Sequence, residues 1–380
     1  MKILLAADFP DDPTLGSAKV LYKLREEFQR QGHACDALFA GDLGASPRQR
    51  HARDLMGPVL TAAAIARAVR ERGQYDVIDV AGAEGAAFAA LRRTGTVRSA
   101  ALVSRSNGLE HLNYARMLDD ADAGVSSKPW HRRLWYPAVR LRQVRRAIES
   151  CDRLILINEG DRDYVLAQRW KAPDAIDVVP HGVSERFLNA APPGSPRGEG
   201  VLFCGSWDAM KGVQYLAAAW ADLAADPQPP RLTVLGGGRR SGAILADFDP
   251  TARRLVTVRD RVPEEEVMRH YRRHDVLVMC STYEGFSLVV PEAMSQGLPV
   301  IATPVGVAPA LLRHGETGLI VPSRNPAALA GAIRQLLPDS ALRAKLASSA
   351  IRAVQGLTWN ATARRTLEAY ERACGVVRAA

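Results

Sequence analysis

The stretch from Asp275 to Gly297 constrains the fold most. Asp275-Val-Leu-Val-Met279 is a short apolar run that reads as a buried strand. Cys280 to Glu284 is then a loop at the strand's carboxyl end. Leu288 to Gln296 reads as a helix with Gly297 just past it. Strand, loop and helix N-terminus in that order form the arrangement in which open α/β sheets bind ligands. The amides of Gly285, Phe286, Ser287 and Leu288 would face an anion there. Glu284 and Glu292 flank them with seven residues between. Two carboxylates repel a bare phosphate, but they suit a ligand that carries phosphates in one place and hydroxyls in another, such as a nucleotide sugar.

The same alternation runs along most of the 380 residues, a length that suits two domains. Lys2–Ala7, His33–Phe39, Asp76–Val80, Ala100–Ser104, Arg153–Ile157 and Ala175–Val179 read as strands, with helices predicted at about Ala18–Gln31, Thr61–Arg72, Glu84–Arg93 and Asn158–Arg169. Gly41–Pro58 fits neither period. The Pro/Gly-rich Ala190–Gly200 is a linker, after which Val201–Cys204 restarts the alternation. Five cysteines without C-x-x-C spacing argue against a zinc site or a disulfide framework and fit a reducing cytosol. The first apolar run, Ile3–Ala7, is too short for a signal peptide, and no run of 18 apolar residues exists. The expected location is cytoplasmic. A net charge of +9 favours anionic partners, but no RNA-binding or helix-turn-helix pattern accompanies it, so nucleic acid is not expected.

Glu284-Gly-Phe-Ser-Leu-Val-Val-Pro-Glu-Ala-Met294 resembles the E-x7-E signature of the family 4 retaining glycosyltransferases, which have the GT-B fold. The resemblance implies two Rossmann-like domains facing an interdomain cleft: residues 1–182 for the acceptor, 183–356 for the nucleotide sugar, and a last helix in 357–380 crossing back to the first domain. It implies transfer from a nucleoside-diphosphate sugar to a hydroxyl acceptor with retention, no metal and no other cofactor. Gly205-Ser-Trp-Asp-Ala-Met-Lys-Gly212 is similar to the family's G-R-x-x-x-x-K-G, whose Arg and Lys grip the donor diphosphate; Lys211 matches, and Ser206 stands in the Arg position. Glu292 is implied at the ribose hydroxyls, Glu284 at the sugar and Val262 against the base. Gly16 is what remains of a Gly-Gly loop near the donor phosphates, although Ser17 as an N-cap after a turn fits the same residues. Arg105-Ser-Asn-Gly-Leu-Glu-His111 resembles R-x-H-G-x-E, with Asn107 where the family has a His facing the sugar. Asn107, Glu284 and Lys211 are therefore the implied catalytic set, and His111, four residues on from Asn107, competes for the vacant imidazole role. Asp161-Arg-Asp163 is similar to a D-x-D metal motif only in letters, because acidic residues in a first helical turn follow from the dipole.

Between Lys128 and Ile148 stand Lys128, Arg132, Arg133, Arg140, Arg142, Arg145 and Arg146, with Trp130, Trp135 and Tyr136 among them and no acidic residue. A helix is predicted from Pro137 onward. These residues suit peripheral contact with an anionic membrane, and equally a core helix with a solvated Arg face. Departures at Asn107 and Ser206 leave a non-catalytic nucleotide-sugar-binding protein open, and a nucleotide-sugar 2-epimerase shares the fold.

Overall fold

The computed structural model describes residues 1–13, 15–44, 50–97, 99–125, 130–189 and 197–379, without the side chains of 50–53, 130–132 and 378–379. The chain forms two compact units, Met1–Gly182 together with Trp359–Ala380, and Val183–Thr358. Lys128 and most of the Pro/Gly-rich linker lie outside the described residues, as do the side chains of Trp130 and Arg132.

Unit 1 holds β1 (Lys2–Ala6), β2 (Ala34–Leu38), β3 (Val77–Ala81), β4 (Ala101–Arg105), β5 (Arg153–Leu156) and β6 (Ile176–Val178) in the order β2-β1-β3-β4-β5-β6. Unit 2 holds β7 (Val201–Cys204), β8 (Leu232–Leu235), β9 (Val256–Arg259), β10 (Val276–Met279), β11 (Val300–Ala302) and β12 (Leu319–Ile320) in the order β12-β11-β10-β7-β8-β9. All pairings between these strands are parallel. Parallel sheets are covered on both faces, so their strands read as unbroken apolar runs; β3, β4, β5 and β10 are buried at every residue. Strand order reverses between β1 and β3 in unit 1 and between β7 and β10 in unit 2, and ligands bind such sheets beyond the carboxyl ends of the strands at that reversal. Trp207, Trp220, Phe203 and Phe248 anchor the core of unit 2, and Ile65, Tyr75 and Phe88 that of unit 1.

Several helices depart from the pattern reading. The first begins at Gly16 with Leu15 as a cap lacking a side-chain bond, so Ser17 lies in the first turn and is not the N-cap. The second starts at Arg50 and runs through Gly57-Pro58 to Arg72, absorbing part of the stretch that fits neither period. Helix also begins before Pro137: Trp130–Tyr136 passes through a π-helical turn at Pro137–Leu141 into Arg142–Ser150. The wider turn keeps the chain helical at the proline, where a regular ladder would lose a bond and clash. Glu110–Asp122 is a further helix, so Glu110 and His111 are helical and not in the loop.

Candidate functional site

The carboxyl ends of β7 and β10 bring together two loops that are far apart in sequence. After β7, the Asp208 carboxylate accepts from the amides of Met210 and Lys211 at 3.0 and 3.3 Å, folding Ala209–Lys211 into a 3-10 turn. Gly212 then takes φ +71°, and a Cβ there would sit 2.0 Å from the Cys280 carbonyl oxygen. Only glycine admits both the left-handed backbone and the approach. Across that contact the Thr282 amide donates to the Met210 carbonyl at 2.8 Å, and the Cys280 thiol reaches the Lys211 and Gly212 carbonyls at 3.4 and 3.5 Å.

The stitching aims Lys211 at Glu284. Its Nζ lies 2.7 and 2.9 Å from the two carboxylate oxygens, and the Ser281 hydroxyl donates to Glu284 Oε1 at 2.7 Å. Glu284 is buried and Lys211 half-buried. Ser281 is held through its carbonyl, which accepts from Thr303 Oγ1 at 2.6 Å. Ser287 has φ +75°, an uncommon backbone for a residue with a Cβ and one that tends to cluster at ligand sites. Gly306 (φ +61°) packs against the same turn, where a Cβ would lie 2.6 Å from the Phe286 carbonyl oxygen, and the Val307 amide donates to that oxygen at 2.8 Å. The helix behind the turn is two turns long, Val289–Ser295, and carries Glu292 in its first turn. Glu292 is buried and accepts from Tyr271 Oη at 3.3 Å. Burial holds the Tyr271 phenol well above its ordinary pKa, so it stays a donor.

Ser206 donates its hydroxyl to Asp208, which gives this position a carboxylate neighbour where the motif has a cation. Val262 sits in the loop after β9, at the same sheet edge. Trp207 ties the loops together, its amide on the Gly237 carbonyl at 2.8 Å and its indole nitrogen on Asp247 at 2.7 Å.

In unit 1 the loop after β4 carries Asn107, whose two side-chain polar atoms are both buried and without a hydrogen-bond partner. Its surroundings are fixed: the Gly108 amide donates to Ser106 Oγ at 3.2 Å, and the Leu109 amide to the buried Asp161 carboxylate at 3.1 Å. His111 instead packs with Trp170 (ring centroids 4.5 Å apart) and Tyr164 (6.2 Å), and burial lowers its pKa to about 4. Beneath the loop, buried Arg105 donates to Asp79 Oδ2 from Nε and Nη2 at 2.9 and 2.6 Å, and Tyr370 of the last helix donates to the same carboxylate. Gly16 is exposed at the start of its helix, after β1.

The Arg-rich segment splits into two populations. Arg140 turns inward, bidentate on Glu110 and 2.6 Å from Glu84, with Tyr136 also donating to Glu110 at 2.7 Å. Arg142, Arg145 and Arg146 point outward from a helix whose Val144, Ala147 and Ile148 are buried; Arg145 pairs with Glu149 at 2.7 Å. Among the described residues no helix is long and apolar enough to cross a membrane.

Comparison with known proteins bears on this arrangement. A model described as Glycosyltransferase Family 4 matches residues 15–187, and one described as Glycosyl transferases group 1 matches 198–339. The chain belongs to the family 4 glycosyltransferases. D-inositol 3-phosphate glycosyltransferases of Kineococcus radiotolerans and Streptomyces bingchenggensis are 34% and 33% identical to it over 62% of the chain. The chain spans 61% and 56% of their respective lengths. Sucrose-phosphate synthase from Thermosynechococcus elongatus superposes with a TM-score of 0.78 at 22% identity, covering 98% of this chain and 99% of that one. Anabaena HepE in complex with UDP superposes at 0.69 and 16% identity, covering 98% and 100%. Their common GT-B fold is the fold of this family 4 member.

Sequence reasoning passed over three residues of this family 4 chain that hold the others, and read a fourth, Asp161, only as an acid that a helix dipole favours. Tyr271, Thr303 and Gly306 brace Glu292 and the Glu284 turn, and Asp161 anchors the Asn107 loop. Gly306 alone carried a local signal, a Pro-Val-Gly sequence after a strand.

Proposed function

We propose that the protein is a retaining glycosyltransferase that moves a sugar from a nucleoside-diphosphate sugar to a hydroxyl acceptor. The observation that carries this reading is the Lys211–Glu284 pair, set by a glycine contact at the point where strand order reverses in unit 2. A diphosphate arriving there gives Lys211 a second anion, and Glu284 is then released to accept from a sugar hydroxyl. As the anomeric bond breaks, negative charge grows on the diphosphate, and Lys211 with the backbone of Gly285–Leu288 stabilises it in the manner of an oxyanion hole. Glu292, steadied by Tyr271, takes the ribose hydroxyls, and Val262 lies against the base. Asn107 in unit 1 brings a donor and an acceptor to a sugar hydroxyl, which a buried and unpartnered amide can do without breaking an existing bond. No side-chain base is assigned: a leaving phosphate oxygen can take the acceptor's proton, so neither a metal nor another cofactor is required. The relatives named for D-inositol 3-phosphate support a polar hydroxyl acceptor, and the setting we propose is cell-envelope glycan, glycolipid or related glycoconjugate synthesis.

Calorimetry with UDP, GDP and ADP, followed by NMR of products from the sugar of the tightest base, tests the reading. Micromolar binding that is weakened roughly 10- to 150-fold in Lys211→Ala, together with an α-linked product from an α-linked donor, is expected. No binding of any nucleoside diphosphate, or an inverted product, overturns it.

We propose as well that the protein sits peripherally at the inner face of an anionic membrane. Arg142, Arg145 and Arg146 project outward, and Gln143 donates to the Leu55 carbonyl at 3.3 Å, which sets the exposed Leu55, Met56 and Val59 beside them. Basic side chains next to exposed apolar ones suit the headgroup boundary, and each charge contributes about 1 kcal/mol near anionic lipid. Co-sedimentation with phosphatidylserine vesicles, reversed by salt and abolished by Arg142→Gln with Arg146→Gln, is expected. Equal partition onto neutral vesicles, or none onto either, removes the membrane from the proposal.

A further inference from the structure

A second site lies at the opposite edge of the unit 2 sheet from the nucleotide loops. Glu199 precedes β7 by two residues, and His274 precedes β10 by two. Both therefore lie at the amino ends of the two central strands, while Lys211 and Glu284 lie beyond the carboxyl ends. His270 and His274 stand four apart at the end of the Glu264–Arg273 helix, which puts both rings on one face. Glu199, His270 and His274 each offer one ligating atom, and these atoms lie within 4.8 Å of one another.

What singles this cluster out is the state of its nitrogens. His274 is fully buried, at 0% exposure, and its Nε2 has no hydrogen-bond partner; His270 Nδ1 is likewise buried and unpartnered. A buried polar group without a partner is uncommon, and each instance calls for a ligand, an ion or a function. The other nitrogen of His274 is engaged, 2.8 Å from the His270 carbonyl and 3.6 Å from Glu199 Oε2. The nitrogen of His274 that faces Glu199 is therefore Nδ1, and a cation bound there would take the place of its bond to the His270 carbonyl. Glu199 is exposed, and its Oε1 is only loosely paired, 3.8 Å from Arg273 Nη1.

We propose that Glu199, His270 and His274 bind a zinc-class divalent cation, with water completing the shell. Two neutral imidazoles and one carboxylate form a borderline N/O donor set suited to such an ion. Tetrahedral zinc with bonds of about 2.0–2.2 Å places its ligand atoms about 3.4 Å apart, so the cluster must close by up to about 1.4 Å. The exposed Glu199 carboxylate and the half-buried His270 ring can make that movement, while His274 stays fixed. The backbone around the site is already organised: the amides of Gly198 and Glu199 donate to the Arg273 carbonyl at 3.1 and 3.2 Å, and Arg197 gathers the carbonyls of Tyr271, His274 and Gln296 at 2.7–2.8 Å. The cation is a staple joining the strand entering β7 to the helix that leads into β10. It takes no part in the chemistry at the other edge of the sheet.

The full chain, stripped with a chelator, is titrated with zinc chloride by calorimetry and by competition with a chromophoric zinc indicator. One zinc per chain with micromolar or tighter affinity is expected, along with a rise in melting temperature. Glu199→Gln and His270→Ala should each weaken binding at least tenfold while keeping the native circular dichroism spectrum. Glu199 is exposed and His270 half-buried, so folding confounds the comparison less than it would for the fully buried His274. Absence of stoichiometric zinc at millimolar excess, or equal affinity in wild type and both variants, overturns the proposal.

Discussion

Lys211 and Glu284 hold each other in place, and the consequences of removing one differ from those of removing the other. Lys211→Ala strips the cation from a buried carboxylate that keeps only its Ser281 bond, so both diphosphate binding and local order suffer. A hydrogen bond to a charged group contributes about 1.5–3 kcal/mol, which corresponds to a loss in nucleoside diphosphate affinity of roughly 10- to 150-fold by calorimetry. Glu284→Gln keeps the shape and should spare diphosphate affinity while lowering turnover. Asn107→Ala should lower turnover without unfolding the chain, since its amide makes no hydrogen bond that folding needs. His111→Ala should leave turnover within a few-fold, and steady-state rates with a fixed donor and acceptor separate the two positions. His111 also predicts a pH effect. Its folded pKa of about 4 lies below the unfolded value of about 6.5, so the unfolded chain binds the extra proton between these values. Stability from this residue is intact above pH 6.5 and is lost as pH falls toward 4. The stability difference between wild type and His111→Gln, followed from pH 7 to pH 4 by denaturant titration, should shrink in that window.

Among the elements, the loops that carry the site are fixed by close backbone approach. Gly212→Ala places a Cβ against the Cys280 carbonyl and forces a left-handed residue to carry it, a strain of about 1–2 kcal/mol before any clash is counted. The expected result is a lower melting temperature and weak nucleotide binding, whereas Gly238→Ala, also at positive φ but with open space around it, should show the strain alone. Much of the strand–helix alternation was legible from sequence because parallel strands are covered on both faces and appear as apolar runs such as Val276–Met279. The Arg50–Arg72 helix was only half legible: Gly57-Pro58 is a stop signal in local terms, and tertiary contact overrides it. The Glu110–Asp122 helix was missed because charged groups, Glu110 and Asp120, interrupt its apolar side of Tyr114, Met117, Leu118 and Ala121, and are satisfied by Arg140 and Arg116 at 2.6–3.0 Å. Arg140 misled for the same reason, since a cation in an Arg-rich run reads as solvated unless its partners, distant in sequence, are known. Of the candidate site, the residues on sequence motifs could be named in advance; Tyr271, which donates to Glu292 from another helix, could not, because only the folded sheet brings it there.

Over the whole molecule, unit 1 is discontinuous in sequence. Its last helix, Trp359–Ala379, packs on the Gly16–Arg30 helix, with Tyr370 5.7 Å from Phe28 by ring centroids and bonded to the Asp79 carboxylate that holds Arg105. Thr362 donates to the Pro180 carbonyl at 2.9 Å. Ending the chain at Thr358 should therefore leave unit 2 able to bind nucleoside diphosphate while unit 1 loses protection, which hydrogen exchange resolves segment by segment. Uniform loss of protection in both units would show that they do not fold separately. The connectivity also sets a timetable during synthesis. Residues 1–182 emerge from the ribosome first, yet the helix that covers Asp79 and Arg105 is made after all of unit 2. At about 5–20 residues per second this leaves the unit 1 sheet without that cover over β4 for roughly 10–40 s. The unit made second can be finished first, and in that interval the nascent chain offers a six-stranded sheet that still lacks its last covering helix to chaperones and proteases.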